Sequence, residues 1–259
     1  MIQQVRAPLG GALALLLSIS TIAGAWSEYV LIGAIILIVL LLAIGWPRLL
    51  DLPAPRSASL IIGASGLGAL AVGTLLNQAL NLEVPIAMVM ATAFFLAILR
   101  EMLRPSRTRL TLSLSGTVTG SLFSVLAVSW LQASAVAHTA GASGLSLLTA
   151  ITMGLAAAMV TLCLPGSGAS RIPLTLVSGA LACAGIAFLL GLGVLGALMS
   201  FGFGLAIAGI SLSAYYLLAR VIAAFDAPGF FAVGAVPLAI TGVAAMLFVR
   251  IGVPVLTGA

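Results

Sequence analysis

Long apolar stretches alternate with short polar segments along this chain, and the alternation predicts a series of membrane-spanning helices. A helix that crosses a bilayer needs about 20 apolar residues. The uncharged stretch 174–219 is too long for one such helix, so we divide it at its glycine-dense part, residues 191–196. The predicted spans are then residues 9–25, 29–46, 57–76, 85–99, 110–131, 145–164, 174–191, 196–219 and 231–252. The pattern predicts an all-α polytopic transmembrane helix bundle in one membrane-embedded domain, residues 1–259.

The first apolar stretch has two interpretations. It ends in Ala23-Gly24-Ala25, which has the A-x-A form of a signal-peptidase site. The next apolar stretch begins at Tyr29, so cleavage would leave almost no exported segment between them. We expect a retained first helix, with cleavage as the alternative.

Composition excludes a water-soluble domain. The chain is 63% hydrophobic and 6% charged, with a net charge of +5, whereas a soluble domain carries about 25% charged residues. The basic residues are all arginines that stand singly or in short clusters, so no extended surface for nucleic acid is expected. The arginine-only usage, with abundant Ala, Gly, Leu and Val, is typical of a GC-rich genome. We predict a multi-pass protein of a bacterial cell (plasma) membrane.

The arginines also predict the orientation. Residues 99–110 hold Arg100, Arg104, Arg107 and Arg109 between two apolar stretches. Such clusters stay on the cytoplasmic side of a membrane. This places the N-terminus inside and the C-terminus outside, with Arg250 alone on the outer side. Tryptophan and tyrosine collect at the two membrane–water interfaces, and their positions agree with this threading. Trp26, Tyr29 and Trp130 fall at the outer ends of predicted spans, and Trp46, Tyr215 and Tyr216 fall at the inner ends.

The arginine cluster has two interpretations. It is either a topological anchor or a site where Arg100, Arg104, Arg107 and Arg109, together with Thr111, contact a lipid phosphate. Guanidinium groups bind phosphate through paired, charge-assisted hydrogen bonds. The second interpretation makes membrane lipids, and anionic phospholipid in particular, the expected partners.

The stretch that follows the arginines carries a stripe of small and hydroxyl-bearing residues. Helical spacing puts Ser113, Thr117, Gly120 and Ser124 on one face, and Gly116 forms a GxxxG pair with Gly120. Small residues let helices pack closely, and the same stripe would also suit a polar groove for an amphiphile. Both interpretations remain open at this stage.

The chain carries no motif that identifies a reaction. Its single histidine, His138, falls in a predicted outer loop, residues 132–144, and its cysteines, Cys163 and Cys183, are predicted to be too far apart for a disulfide. Three carboxylates are predicted on the inner side of the membrane: Asp51, Glu101 and Asp226. If they came together, they could bind a divalent ion that also contacts a lipid phosphate. Each carboxylate stands alone in the sequence, so we expect no catalytic set, metal site or cofactor.

These observations favour a transport-type protein or accessory permease subunit that handles a neutral or amphiphilic, lipid-like molecule without an energy-coupling domain of its own. A membrane partner subunit fits that interpretation. Two alternatives belong to other classes. One is a membrane-embedded lipid-modifying enzyme that uses the inner carboxylates and the arginine loop, and the other is a non-catalytic assembly partner.

Overall fold

A computed structural model describes Leu15 and residues 28–75, 83–104, 109–164, 168–222 and 229–257. These parts form nine helices: α1 Glu28–Leu49, α2 Pro55–Leu75, α3 Glu83–Leu103, α4 Leu110–Leu126, α5 Ser129–Thr139, α6 Gly141–Cys163, α7 Gly168–Leu189, α8 Gly193–Ile222 and α9 Phe230–Thr257. Eight helical stretches are long and apolar enough to cross a membrane, with α4 and α5 counted as one. The predicted span 9–25 lies outside the described residues, apart from Leu15. The protein is an all-α polytopic membrane bundle.

The helices form two groups that meet at α9. Helices α1 to α4 pack on one another, as do α6, α7 and α8, while α9 contacts α1, α4, α5, α6 and α8. In its most apolar stretch, α9 buries 72% of its residues, against 17% for α3. Since lipid is as apolar as a leucine side chain, an exposed apolar helix is stable in this setting. Helix α9 is the centre of the bundle and α3 is a peripheral helix.

The second group is held together by close backbone contacts. A Cβ atom added at Gly204 would lie 2.6 Å from the carbonyl oxygen of Gly179, and one added at Gly154 would lie 2.9 Å from that oxygen. The turn between α7 and α8 falls in the predicted glycine-dense part, where Gly191 and Gly193 have φ angles of 84° and 70°. These left-handed conformations are readily available to glycine.

The predicted outer loop 132–144 is wrong. Helix α4 ends at Leu126, and the chain continues as α5 after a short break at Ala127 and Val128. Helix α5 buries Gln132 and Ser134. Polar residues in this stretch suggested a loop, but small polar side chains are tolerated in a helix that packs against its neighbours.

The aromatic-belt interpretation also fails for both tryptophans that the structure describes. The Trp46 side chain is 5% exposed and Trp130 is fully buried. Their indole nitrogens donate hydrogen bonds to the carbonyl oxygens of Gly116, at 2.7 Å, and of Leu238, at 2.8 Å. Both residues therefore join helices inside the bundle instead of marking its interfaces.

Candidate functional site

The predicted span 85–99 continues as a helix to Leu103, and this extension buries charged residues. Glu101 lies between two arginines at the end of this helix, with its Oε1 3.0 Å from Arg100 Nη1 and its Oε2 3.1 Å from Arg104 Nη1. The three side chains are 4%, 10% and 11% exposed, in the order Glu101, Arg100, Arg104. The hydroxyl of Ser113 donates a 2.5 Å hydrogen bond to Glu101 Oε1. We call these four residues the arginine–glutamate cluster.

Arg100 ties three helices together at this level. Its Nε donates to the hydroxyl of Ser57 at 2.7 Å, and its Nη2 donates to the carbonyl oxygen of Ala54 at 2.8 Å. On α4, its Nη1 donates to Thr117 Oγ1 at 3.1 Å. A guanidinium is a rigid fork of five N–H donors, which suits acceptors fixed on several elements. Arg100 thus holds the start of α2, the end of α3 and the start of α4 in register.

The cluster carries an excess of positive charge. Two arginines face one carboxylate, and all three groups are largely removed from solvent. Burying charges costs free energy that is recovered only when geometry and hydrogen bonding are good. Ser113 bonds both the negative and the positive groups, since its hydroxyl donates to Glu101 and also accepts a hydrogen bond from Arg104 at 3.3 Å. The surplus charge makes this end of the bundle electropositive.

The other predicted phosphate-contact residues lie apart from the cluster. Arg109 pairs with Asp51 at 3.0 Å in an exposed ion pair, and both residues have positive φ angles, 54° and 47°. Thr111 is exposed on the first turn of α4, and Arg107 lies outside the described residues.

The hydroxyl-rich face of α4 is packed against other helices. Its members are all buried: Ser113, Gly116, Thr117, Gly120 and Ser124. A Cβ atom added at Gly120 would meet the Trp46 ring and the Ile62 side chain, and one added at Gly66 would meet Ser124 Oγ. Side chains of α1 and α2 therefore fill the space beside this face. The structure places close packing there, along the described part of α4, instead of an open polar groove.

An apolar groove that the sequence analysis missed runs between α2 and α3. It has a volume of about 310 Å³ and opens to the surface of the bundle. Helix α2 contributes Ile61, Ala64, Ser65 and Gly68, and α3 contributes Met88, Val89, Thr92, Ala93 and Leu96. Arg100 follows Leu96 by one helical turn and bonds Ser57, one turn before Ile61. The arginine–glutamate cluster therefore closes one end of the groove, which we call the α2–α3 groove.

A smaller cavity lies on the other side of α3. Its volume is about 260 Å³, and its lining residues are Ile98, Glu101, Met102, Leu110 and Leu114. Glu101 is its one charged lining residue, and that carboxylate already pairs with two arginines. This cavity is therefore an apolar space beside a carboxylate whose charge is balanced by arginines.

The carboxylates of the described residues do not gather at one point. Asp51 pairs with Arg109 and Glu101 pairs with Arg100 and Arg104, while Asp226 lies outside the described residues. The described ranges contain no group of three His, Cys, Asp or Glu residues placed to hold a metal ion. Cys163 and Cys183 are both free thiols, and His138 is exposed on α5.

A length argument could have found the buried cluster. The predicted span 85–99 is shorter than the roughly 20 residues that cross a bilayer, so its helix has to continue. The continued helix brings Glu101 and Arg104 into an i, i+3 pair, a spacing that favours an ion pair on one helix face. The α2–α3 groove has no comparable signal, because groove shape depends on how two helices meet.

Comparison of this chain with protein-family models, with curated proteins and with solved structures found no match.

Proposed function

We propose that this protein is a transport-type membrane protein, or an accessory permease subunit, that takes up an amphiphilic molecule sideways from the bilayer through the α2–α3 groove. One observation carries the proposal: an apolar groove on the surface of the bundle ends at a charged, electropositive cluster built on the same two helices. The groove matches the hydrocarbon chain of an amphiphile, and the electropositive cluster matches its polar headgroup.

The lining of the groove suits a hydrocarbon chain. Its two hydroxyl groups donate within their own helices, Ser65 to the carbonyl oxygen of Ile62 and Thr92 to that of Met88. The groove therefore presents apolar side chains and no hydroxyl hydrogen in need of an acceptor. It extends along about 10 Å of α2, from Ile61 to Gly68, at 1.5 Å per residue. That length takes up about a third of a bilayer core of ~30 Å.

The packing of α3 supports lateral entry. Helix α3 contacts mainly α2 and α4, and it buries the smallest fraction of any span that the structure describes. Elements with few buried apolar contacts open at the lowest free energy. A chain that enters between α2 and α3 displaces lipid contacts and little of the core. We expect the groove to widen by movement of α3 around the point where Arg100 holds it.

The two alternative functions receive less support. A lipid-modifying enzyme needs carboxylates that are available for a metal ion or a proton, whereas Asp51 and Glu101 are each paired with arginine. An assembly partner without a ligand needs neither the groove nor the buried charges. That alternative predicts that filling the groove leaves every lipid-dependent property unchanged.

Filling the groove tests the proposal. Gly68 lines the groove and has no atom within 4 Å of an added Cβ, so the side chain of Gly68→Phe can begin there without a backbone clash and add its ring to the groove. Gly33 on α1 is exposed and likewise has no atom within 4 Å of an added Cβ, which makes Gly33→Phe a control. The measurement is transbilayer movement of a fluorescent phospholipid in vesicles that contain the purified protein. We expect the wild-type protein and Gly33→Phe to accelerate this movement, and Gly68→Phe to reduce it toward the rate of protein-free vesicles.

Two results would contradict the proposal. Equal acceleration by both variants would show that lipid does not pass through the groove. No acceleration by the wild-type protein would remove transport by this protein on its own and leave the accessory-subunit and assembly roles.

A further inference from the structure

We propose that the molecule in the α2–α3 groove is an anionic phospholipid whose phosphate is bound by Arg56. This inference rests on the proposed function, because it names the substrate class of the same groove. The sequence pointed to the arginines of residues 99–110 for this task, whereas the structure assigns three of them to internal bonds: Arg100, Arg104 and Arg109.

The position of Arg56 suits a headgroup at the closed end of the groove. Arg56 lies on the first turn of α2, directly before Ser57, whose hydroxyl accepts the bond from Arg100. The first groove residue on α2, Ile61, follows five residues later, a rise of about 7.5 Å. A long arginine side chain can place its guanidinium at the membrane interface while its stem lies along apolar surface. Helical spacing puts Arg56 about 140° around α2 from Ile61, so its side chain has to extend across the end of the helix to meet a headgroup above the groove.

Arg56 also has its hydrogen-bonding capacity available. Its side chain is exposed and has no hydrogen bond or ion pair to the described residues. Arg48, in the last turn of α1, is exposed in the same way but is not on a groove helix. Both belong to the arginine-rich end of the bundle, so they contribute the same general attraction for an anionic membrane surface. Of these two arginines, Arg56 is the one that lies on a helix of the groove.

Charge complementarity decides which headgroup fits. The described ends of α1 to α4 at this level carry five arginines, namely Arg48, Arg56, Arg100, Arg104 and Arg109, against two carboxylates, Asp51 and Glu101. A guanidinium binds a phosphodiester through two parallel charge-assisted hydrogen bonds. A zwitterionic headgroup brings a second, positive group into this electropositive region. The site therefore favours a headgroup with net negative charge.

Photocrosslinking in vesicles of known composition tests this inference. The vesicles contain equal amounts of phosphatidylglycerol and phosphatidylcholine. Two preparations are compared: in one the phosphatidylglycerol carries a diazirine on its acyl chain, and in the other the phosphatidylcholine carries it. Crosslinked peptides of α2 and α3 are identified by mass spectrometry. For the wild-type protein we expect crosslinks at groove residues, with phosphatidylglycerol preferred. One arginine at an anionic surface contributes a general factor of about fivefold. We expect Arg48→Gln to lower the preference by about that general factor, and Arg56→Gln to lower it further.

The outcomes separate this inference from the proposed function. Groove crosslinks that respond equally to Arg56→Gln and Arg48→Gln would overturn the role of Arg56 while leaving the groove in place. Equal labelling by both lipids in the wild-type protein would overturn the anionic headgroup. If groove residues are not labelled, or if Gly68→Phe leaves their labelling unchanged, the proposed function itself fails.

Discussion

The indole nitrogen of Trp46 donates a 2.7 Å hydrogen bond to the carbonyl oxygen of Gly116, and this bond joins α1 to α4 inside the bundle. The contact requires the two helices to approach closely at the next turn, where Gly120 faces the same indole ring. A buried indole N–H needs an acceptor, and the interior of a membrane bundle offers no water for that role. Trp46 thus converts the small-residue face of α4 into a specific helix contact.

Gly120→Ala tests how tightly this contact is packed. An added Cβ would lie 2.5 Å from Ile62 Cδ1 and would also press on the Trp46 ring. Overpacking of this kind costs about 1–3 kcal/mol. We expect a lower midpoint of heat-induced aggregation in detergent, measured by size-exclusion chromatography after heating. Gly33→Ala is the control, because open space surrounds its added methyl group. A Gly120→Ala variant as stable as Gly33→Ala would contradict the close contact.

Glu101→Gln tests the arginine–glutamate cluster. The glutamine retains an acceptor for Ser113 but leaves Arg100 and Arg104 without a negative partner in a largely buried site. Breaking a buried ion pair on one side costs about 3–5 kcal/mol. The matched control is Asp51→Asn in the exposed pair with Arg109, where about 0–1 kcal/mol is expected. The measurement is the free energy of unfolding in detergent, and similar losses for the two variants would show that burial does not strengthen the cluster.

Cysteine labelling tests the predicted orientation, with the two native cysteines replaced by alanine. His138→Cys and Arg48→Cys both place a thiol at an exposed position, at opposite ends of the helices. With the arginine-rich end in the cytoplasm, an impermeant maleimide should label His138→Cys in intact cells and Arg48→Cys only after permeabilisation. The reverse pattern would invert the threading. Ser134→Cys should label poorly in either case, because Ser134 is 7% exposed.

The apolar pattern of the chain was sufficient to predict a bundle of membrane helices. Apolar length and scarce charge require lipid as the solvent, and lipid requires backbone hydrogen bonds to close within each segment. The break between α7 and α8 was equally predictable, because an uncharged stretch of that length has to turn and glycines at 191 and 193 allow it. These features depend on local composition and on the thickness of the bilayer.

The contacts of the polar and aromatic side chains, in contrast, depend on how the helices pack. Glu101 is buried because Arg100, Arg104 and Ser113 surround it, and Trp46 is buried because Gly116 and Gly120 leave room for its ring. The α2–α3 groove exists because α3 packs mainly on α2 and α4 and leaves space beside Gly68. Each feature depends on which helices meet and at what height. Hydrophobic periodicity cannot specify such contacts in a membrane, since lipid and protein offer an apolar side chain almost the same environment.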